Sequence, residues 1–552
     1  MNKTKILTVI LLGSIFSLML VPVSLLEFLL PANGVDPLVY YKRLVVGLGF
    51  NFLFSFFIPF ALFIFAAVVR KVLFIVFSFG SIFFVTASVL HLKVFHQLMA
   101  APSLLVLLDT NLKEATEFAG FYISVSTVVA VLAALIVMLV IAVWAWRAFE
   151  NVSLAGFSRK YSFGALLILL FLGNIGWNKI YFTLGNPIPF YIQIGGDVLS
   201  TQADYKKMLN SKPKNSGARL VGLVKSPMTH LIIIGEAATP SHMSLYGYER
   251  ETNPLLKKSY SNFSFLLAED SCSSKHATYA SIEDVMLGGN PLVFDAQGQS
   301  PPNLMSIVKE AGYKTFMISN QPGAGYGSLV SFWSASVDES QFLNKRDYRI
   351  GYDFDEILLP SVEAALKETD QSKVVVVHMM GSHPGYKQRY PVKFERWDAA
   401  AEVPDSVNRK QEPGFDRVTY NAYDNSLLYS DYIVSSMVAM AAKYNVASVV
   451  YFSDHGQSLG EKSAHVGHST ENGPRQGFEI PLMFWLNTSV LNQLNLNVAA
   501  FKSNLEKPFS LERIQYTLFD LYGVYLSAPY AEKSLLSSDY QVAKRHCDGM
   551  RY

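Results

Sequence analysis

The sequence predicts two classes of structure in one chain: an N-terminal domain of about five membrane-spanning helices, then a large α/β domain on a mostly parallel sheet. Three observations lead there. The 552 residues are 51% hydrophobic, too apolar for an ordinary soluble protein. The excess lies in the first third, in runs near the roughly 20 residues that a helix needs to cross a bilayer. Downstream, short β-rich runs alternate with amphipathic stretches, the pattern of strands buried on both faces between helices.

The apolar runs are 6–30, 44–69, 72–90, 121–146 and the shorter 163–177. The first is too long for a cleaved leader, and more runs come after it. Short-loop cations set the orientation. Lys3 and Lys5 precede the first run, Arg70 and Lys71 separate the second from the third, and Arg147, Arg159 and Lys160 lie between the last two. These share one side, expected to be cytoplasmic. Lys42, Arg43, Lys93 and Lys113 lie on the other side without reversing the bias. Five spans from an inside N-terminus put the remainder outside, which for a bacterial inner membrane is the periplasm. The expected organisation is a membrane domain over 1–184, a linker with an interfacial helix over 185–227, and a catalytic domain over 228–552.

Net charge is +2, so nothing global points to a nucleic-acid partner. Two cysteines, Cys272 and Cys547, allow at most one internal disulfide and exclude a disulfide framework.

In the second part, "THLIIIGEA", "KTFMISN", "KVVVVHMMGSH", "ASVVYFSDHG" and "IPLMFWL" read as strands, with helices expected over 303–311 and 426–443. The residues at and just beyond the strand ends carry the chemistry. Glu236 ends the first strand, His383 comes after the third, Asp454 and His455 end the fourth, and His465 and His468 come soon after. Ligands in open α/β sheets bind outside the carboxyl ends of the strands, so these groups should converge. Carboxylate and imidazole without thiolate suit zinc, with manganese as the second choice. His378, inside an apolar run, reads as a buried, hydrogen-bonded core histidine. The stretch "EDSCSSKHATYASIEDVML" offers Ser271, Ser273, Ser274, Thr278 and Ser281 as hydroxyls. A hydroxyl on a metal becomes a usable nucleophile, and a helix start there would favour a phosphoryl group.

Four ordered blocks resemble a known family. "HLIIIGEAATPSHMSLYGYERETNPLL" is similar to the Gly-Glu-Thr-Ala-Arg block that opens the catalytic domain of phosphoethanolamine transferases, membrane-anchored members of the alkaline phosphatase/sulfatase superfamily. "VVHMMGSHPGYKQRYP", "YDNSLLYSDYIVSSMV" and "SDHGQSLGE" resemble three further blocks of that family. The resemblance covers nearly the whole chain. It implies an α/β/α sandwich of the alkaline-phosphatase/sulfatase type, with zinc held by Glu236, Asp454 and His455. It implies Thr278 as nucleophile and metal-contacting hydroxyl, since Thr278-Tyr-Ala-Ser-Ile fits the family's Thr-Ala-Tyr-Ser-Val. His383 and a later histidine, His468 rather than His465, would serve the phosphoryl group or a second zinc. "LLDTNLKEATEF" resembles the segment near the lipid donor, making Asn111 and Glu114 donor-site candidates.

The implied donor is phosphatidylethanolamine, taken from the surrounding membrane lipids. The implied acceptor is lipid A, the lipopolysaccharide core or a periplasmic glucan. Three departures stand out. The family's arginine after Gly-Glu-Thr-Ala is absent, Gln457 replaces an acidic residue, and Cys272 lacks its usual nearby partner. No Cys-x-Pro-Ser-Arg run is present, which argues against sulfate-ester hydrolysis. Glycerol-phosphate transfer or phosphodiester hydrolysis on the same fold is the rival chemistry. A non-catalytic sensor or scaffold is the rival class, and loss of ligands would mark it.

Overall fold

A computed structural model describes residues 3–18, 37–62, 64–95, 123–151, 159–177, 195–196, 198–200, 203–204, 206–207, 211–221, 227–258, 260–321, 336–344, 353–368, 370–407, 416–460, 466–467 and 474–550. The chain divides into two compact units, with the second running from Thr201 to Tyr552 and the first made of most of the residues before it.

The first unit holds helices α1 (Lys3–Ser17), α2 (Pro37–Leu62), α3 (Ala67–Phe95), α4 (Val125–Asn151) and α5 (Arg159–Trp177). Among the described residues two stretches are long and apolar enough to cross a membrane, Ala67–His91 and Val125–Ala148. Only 11% of the α4 window is buried, so it is not the core helix of a soluble domain. Val129, Leu132, Ile136 and Val143 point outward, which suits lipid and not water. The inward faces meet through Phe16, Phe60, Phe74 and Ala145. Phe74 packs on Phe16 at 5.4 Å and on Trp146 at 5.3 Å.

The break between the second and third apolar runs falls earlier than their charges suggest. Helix α2 stops at Leu62, and Arg70, in the first turn of α3, already donates its N–H to the carbonyl of Ala66 just before that helix. Arginine and lysine are good helix formers, so hydropathy located the charges and not the backbone turn. Lys71 lies over the Trp146 ring at 5.6 Å, which brings the start of α3 to the end of α4.

Among the described residues, the second unit is built on a seven-stranded sheet with helices on both faces. Its strands are β1 (Thr229–Gly235), β2 (Phe263–Leu267), β3 (Lys314–Ser319), β4 (Glu339–Phe342), β5 (Lys373–His378), β6 (Ser448–Ser453) and β7 (Leu482–Asn487). Their order across the sheet is β2-β7-β6-β1-β5-β3-β4. All five expected strands are present. The sheet is mixed, however: β7 runs antiparallel to both β2 and β6. Alternation of side chains sends Ile232, Ile234, Val374, Val376, Val450 and Phe452 to one face. There they meet Val285 and Met286 of α6 (Thr278–Leu287) and Met305 of α7 (Leu304–Glu310). Leu231, Ile233, Val375 and Val377 are buried on the other face, where α8 (Leu358–Lys367) and α9 (Arg417–Lys443) pack. Each fully buried valine contributes roughly 1.5–3 kcal/mol, so the central strands anchor whatever their ends carry.

Helix α9 begins nine residues before the expected 426. Asp416 caps it by accepting the N–H groups of Val418 and Thr419. Cys272 and Cys547 are joined in a disulfide that spans 275 residues. Beside it Arg545 grips Asp270 with two bonds, at 2.7 and 2.9 Å. The C-terminal segment is thereby fastened just before the serine-rich loop.

Candidate metal centre

The register of the sheet creates the site. Gly235, the last residue of β1, pairs with Ser453, the last of β6. The next residues along the chain, Glu236 and Asp454-His455, therefore leave adjacent strands at one edge, and all three are fully buried. His455 Nε2 lies 3.2 Å from Glu236 Oε1 and 3.6 Å from Asp454 Oδ2. One ligand-type atom from each residue falls within 4.8 Å of the other two.

Three features show that the trio fits a divalent cation. Glu236 Oε1 and Asp454 Oδ2 are buried without any hydrogen bond. Two carboxylate oxygens in that state are costly unless a positive charge faces them. His455 Nδ1 is 2.8 Å from the Gly456 carbonyl, which fixes the proton there and leaves Nε2 as the donor atom. Two oxygens and one imidazole nitrogen also match zinc's preferences. Electrostatics agree. Burial and the neighbouring Glu236 push Asp454 up to about 6. Burial alone would lower His455, but Asp454 and Glu236 overcome it and raise it to about 9. The cluster holds a proton where a metal would replace one.

Thr278 is the first residue of α6, and its Oγ1 donates to Glu236 Oε2 at 3.1 Å and lies 3.5 Å from His455 Nε2. The neighbouring hydroxyls are engaged elsewhere. Ser273 pairs with Ser281 at 2.9 Å, Ser274 donates to Asp284, and Ser281 donates to the Asp454 carbonyl. Ser271 is buried with its hydroxyl unpartnered, before the loop turns toward the trio.

His383 sits half-buried in the loop after β5. Burial and the guanidinium of Arg389 hold it well below the usual histidine range, so it is neutral near pH 7. Arg389 fastens this loop through the His383 and Pro384 carbonyls. Asp355 fastens it again by accepting the N–H groups of Met380 and Gly381, at 2.8 and 2.9 Å. Gly381 has φ +49°, and a Cβ there would come within 2.9 Å of the Glu236 backbone nitrogen, so this close approach requires glycine.

His378 is buried as expected, but it is not fully hydrogen-bonded, because Nε2 has no partner. Its apolar strand neighbours explain this, and burial drops it to about 4, so it is neutral. Asn111, Glu114, His465 and His468 lie outside the described residues. Sequence reading missed Gln321, whose amide donates to Glu236 Oε2 at 3.2 Å and to the Met379 carbonyl at 2.9 Å. It lies two residues past the end of β3, so the same strand-end rule could have found it.

A sulfatase family model matches residues 229–524, more than half of the chain. Phosphoethanolamine transferase EptC of Escherichia coli is 27% identical over 484 residues, covering 83% of this chain and 81% of that protein. The crystal structure of the periplasmic domain of the same E. coli protein in complex with zinc aligns at 25% identity and a TM-score of 0.53, over 60% of this chain and 92% of that one. The integral membrane lipooligosaccharide phosphoethanolamine transferase A of Neisseria meningitidis shares the fold across 96% of this chain and 98% of its own, with a TM-score of 0.66 and 20% identity.

Proposed function

This chain belongs to the sulfatase family, among its phosphoethanolamine transferases, and from that premise we propose that it moves phosphoethanolamine from phosphatidylethanolamine to a sugar or phosphate of lipopolysaccharide through a covalent intermediate on Thr278. The observation that supports this most is the Thr278 hydroxyl, 3.1 Å from Glu236 at the edge of the buried trio.

In the first half-reaction Thr278 Oγ1 bonds to phosphorus while the phosphorus–oxygen bond to diacylglycerol breaks. The threonine gives up its proton, and the departing glycerol oxygen takes one up. In the second, the acceptor gives up its proton as its oxygen bonds to phosphorus, the phosphorus–oxygen bond to Thr278 breaks, and the threonine oxygen takes up a proton. Glu236, Asp454 and His455 would hold zinc, which when bound lowers the proton affinity of a hydroxyl and offsets charge on phosphoryl oxygens. The free N–H groups at the start of α6 favour the anionic phosphoryl group. His383, neutral at pH 7, can accept or deliver a proton, and His468 is assigned the same task. Asn111 and Glu114 are assigned to the donor lipid.

We also assign five spans, with the membrane domain at 1–184, the linker at 185–227 and the catalytic domain at 228–552 in the periplasm. The Cys272–Cys547 disulfide supports an oxidising compartment. A reporter fused after Lys225 is then active only outside the cytoplasm, and a cytoplasmic signal would mean an even number of spans before it. The activity is tested with purified full-length protein and headgroup-labelled phosphatidylethanolamine. Diacylglycerol should appear together with labelled lipid A or core oligosaccharide. Release of free phosphoethanolamine in place of transfer, with acceptor present, would overturn the reading in favour of a hydrolase.

A further inference from the structure

The "YDNS" block, Tyr423 to Ser426, has no part in the transfer chemistry, yet all four residues are fully buried in α9. Each ties down a different loop. The Tyr423 hydroxyl donates to the Ala237 carbonyl at 2.7 Å and accepts the Thr239 N–H at 3.1 Å. Asp424 accepts from Arg250 at 2.6 Å and Tyr248 at 2.7 Å, and lies 2.7 Å from His242. Asn425 accepts the N–H groups of Arg396 and Trp397. Ser426 meets Ser382, beside His383, at 2.9 Å.

The Tyr423 contact bears on the metal trio. Ala237 comes directly after Glu236 and has φ +54°, in the left-handed region that a residue with a Cβ rarely adopts. Such a conformation persists only where its surroundings impose it. Here the Ala237 carbonyl is held by Tyr423, its N–H by Asp454 Oδ1 at 3.2 Å, and the Ala238 N–H by Ser453 at 2.8 Å. The side chain of Glu236 is fixed separately. Gln321 and Thr278 both donate to Oε2, which leaves Oε1 turned to His455 without a hydrogen bond.

We propose that Tyr423 and Gln321 are positioning residues for Glu236: the tyrosine hydroxyl holds the left-handed turn that aims the side chain, and the glutamine amide occupies Oε2 so that Oε1 faces the cation. The inference rests on the assignment of Glu236, Asp454 and His455 to a metal.

The test uses full-length protein in detergent and zinc alone as the probe. Tyr423→Phe removes one hydroxyl and keeps the ring. Gln321→Met removes the amide at similar volume. Ser436→Ala is the control on the same helix, since among the described residues the Ser436 hydroxyl bonds only to the Tyr432 carbonyl of its own helix. Zinc affinity is measured by competition with a chromophoric chelator, and melting of the zinc-free protein is monitored in parallel. Each of the two variants should weaken zinc binding about tenfold or more, the usual effect of losing such a support. The electronic spectrum of the cobalt-substituted protein should shift, while the zinc-free melting temperature should fall only slightly, by the cost of the buried hydrogen bonds each substitution removes. Ser436→Ala should match wild type throughout. Unchanged zinc affinity in both variants overturns the proposal, and so does a lower melting temperature with affinity intact, which would make the two residues merely structural. Wild-type protein that binds no zinc would instead overturn the metal assignment beneath it.

Discussion

Thr278→Ala should lower phosphoethanolamine transfer by several orders of magnitude, roughly as for loss of a covalent nucleophile, and should leave most of the bound zinc in place. The reasons are geometric. Thr278 Oγ1 lies 3.1 Å from Glu236 Oε2, and its residue opens a ten-residue helix. Alanine has a higher helix propensity than threonine, so α6 has no reason to unwind. Glu236, Asp454 and His455 all remain. Thr278→Ser keeps a hydroxyl and should retain part of the activity. Intact-mass measurement after incubation with donor lipid, without acceptor, should show a phosphoethanolamine adduct on wild type and none on Thr278→Ala. An adduct that survives the substitution and maps to Ser273 or Ser274 would move the nucleophile. Both of those hydroxyls are committed, to Ser281 and to Asp284, so either would first have to break that bond.

The site was legible where chemistry comes at the end of an uninterrupted apolar strand. "IIIGE" and "VYFSDH" each end a run whose burial makes it an unmistakable central strand, so Glu236, Asp454 and His455 could be expected to meet. The edge strands were not legible for the complementary reason. In β4, Glu339, Ser340 and Gln341 are exposed, and in β2 only Phe263 is buried, so neither has a continuous apolar signature. The antiparallel course of β7 was also hidden, because burial on both faces gives the same run whichever way the strand points. Helix α9 was placed too short because its first turns bury Asn421, Asp424 and Asn425, polar residues that interrupt the apolar period. Their partners come from loops distant in sequence, and no local pattern announces them. Gln321, Asp355 and Tyr423 were missed in the same way: each acts through hydrogen bonds to residues distant in sequence.

Asp454→Asn should abolish tight zinc binding, with His455→Ala behaving alike, while wild-type protein holds about one tightly bound zinc per chain. Asparagine is a sharper probe than alanine here. Asp454 Oδ1 accepts the N–H groups of His455 at 2.8 Å and Ala237 at 3.2 Å, and an amide oxygen can keep both bonds. What changes is the other atom. Oδ2, buried and without a hydrogen bond, becomes an NH₂ group, which cannot ligate a cation. The backbone at the strand end is preserved and only the ligand is lost. Two readings of the buried trio then separate cleanly. If it is a metal centre, a chelator lowers the melting temperature of wild type, because zinc at about a thousandfold excess over its Kd adds about 4 kcal/mol, and leaves Asp454→Asn unaffected. If instead it is an ion-pair cluster carrying a proton on His455, the chelator does nothing to either protein. In that case Asp454→Asn would only weaken the pull that raises His455 to about 9, and its proton would be lost at lower pH. In the ion-pair reading the His455 Nε2 proton faces Glu236 Oε1 at 3.2 Å but leaves Asp454 Oδ2, 3.6 Å away, buried without a hydrogen bond, a cost that a cation between the three removes. Equal zinc content in wild type and Asp454→Asn would take Asp454 out of the ligand set, and with it the reason why β6 ends on Asp-His.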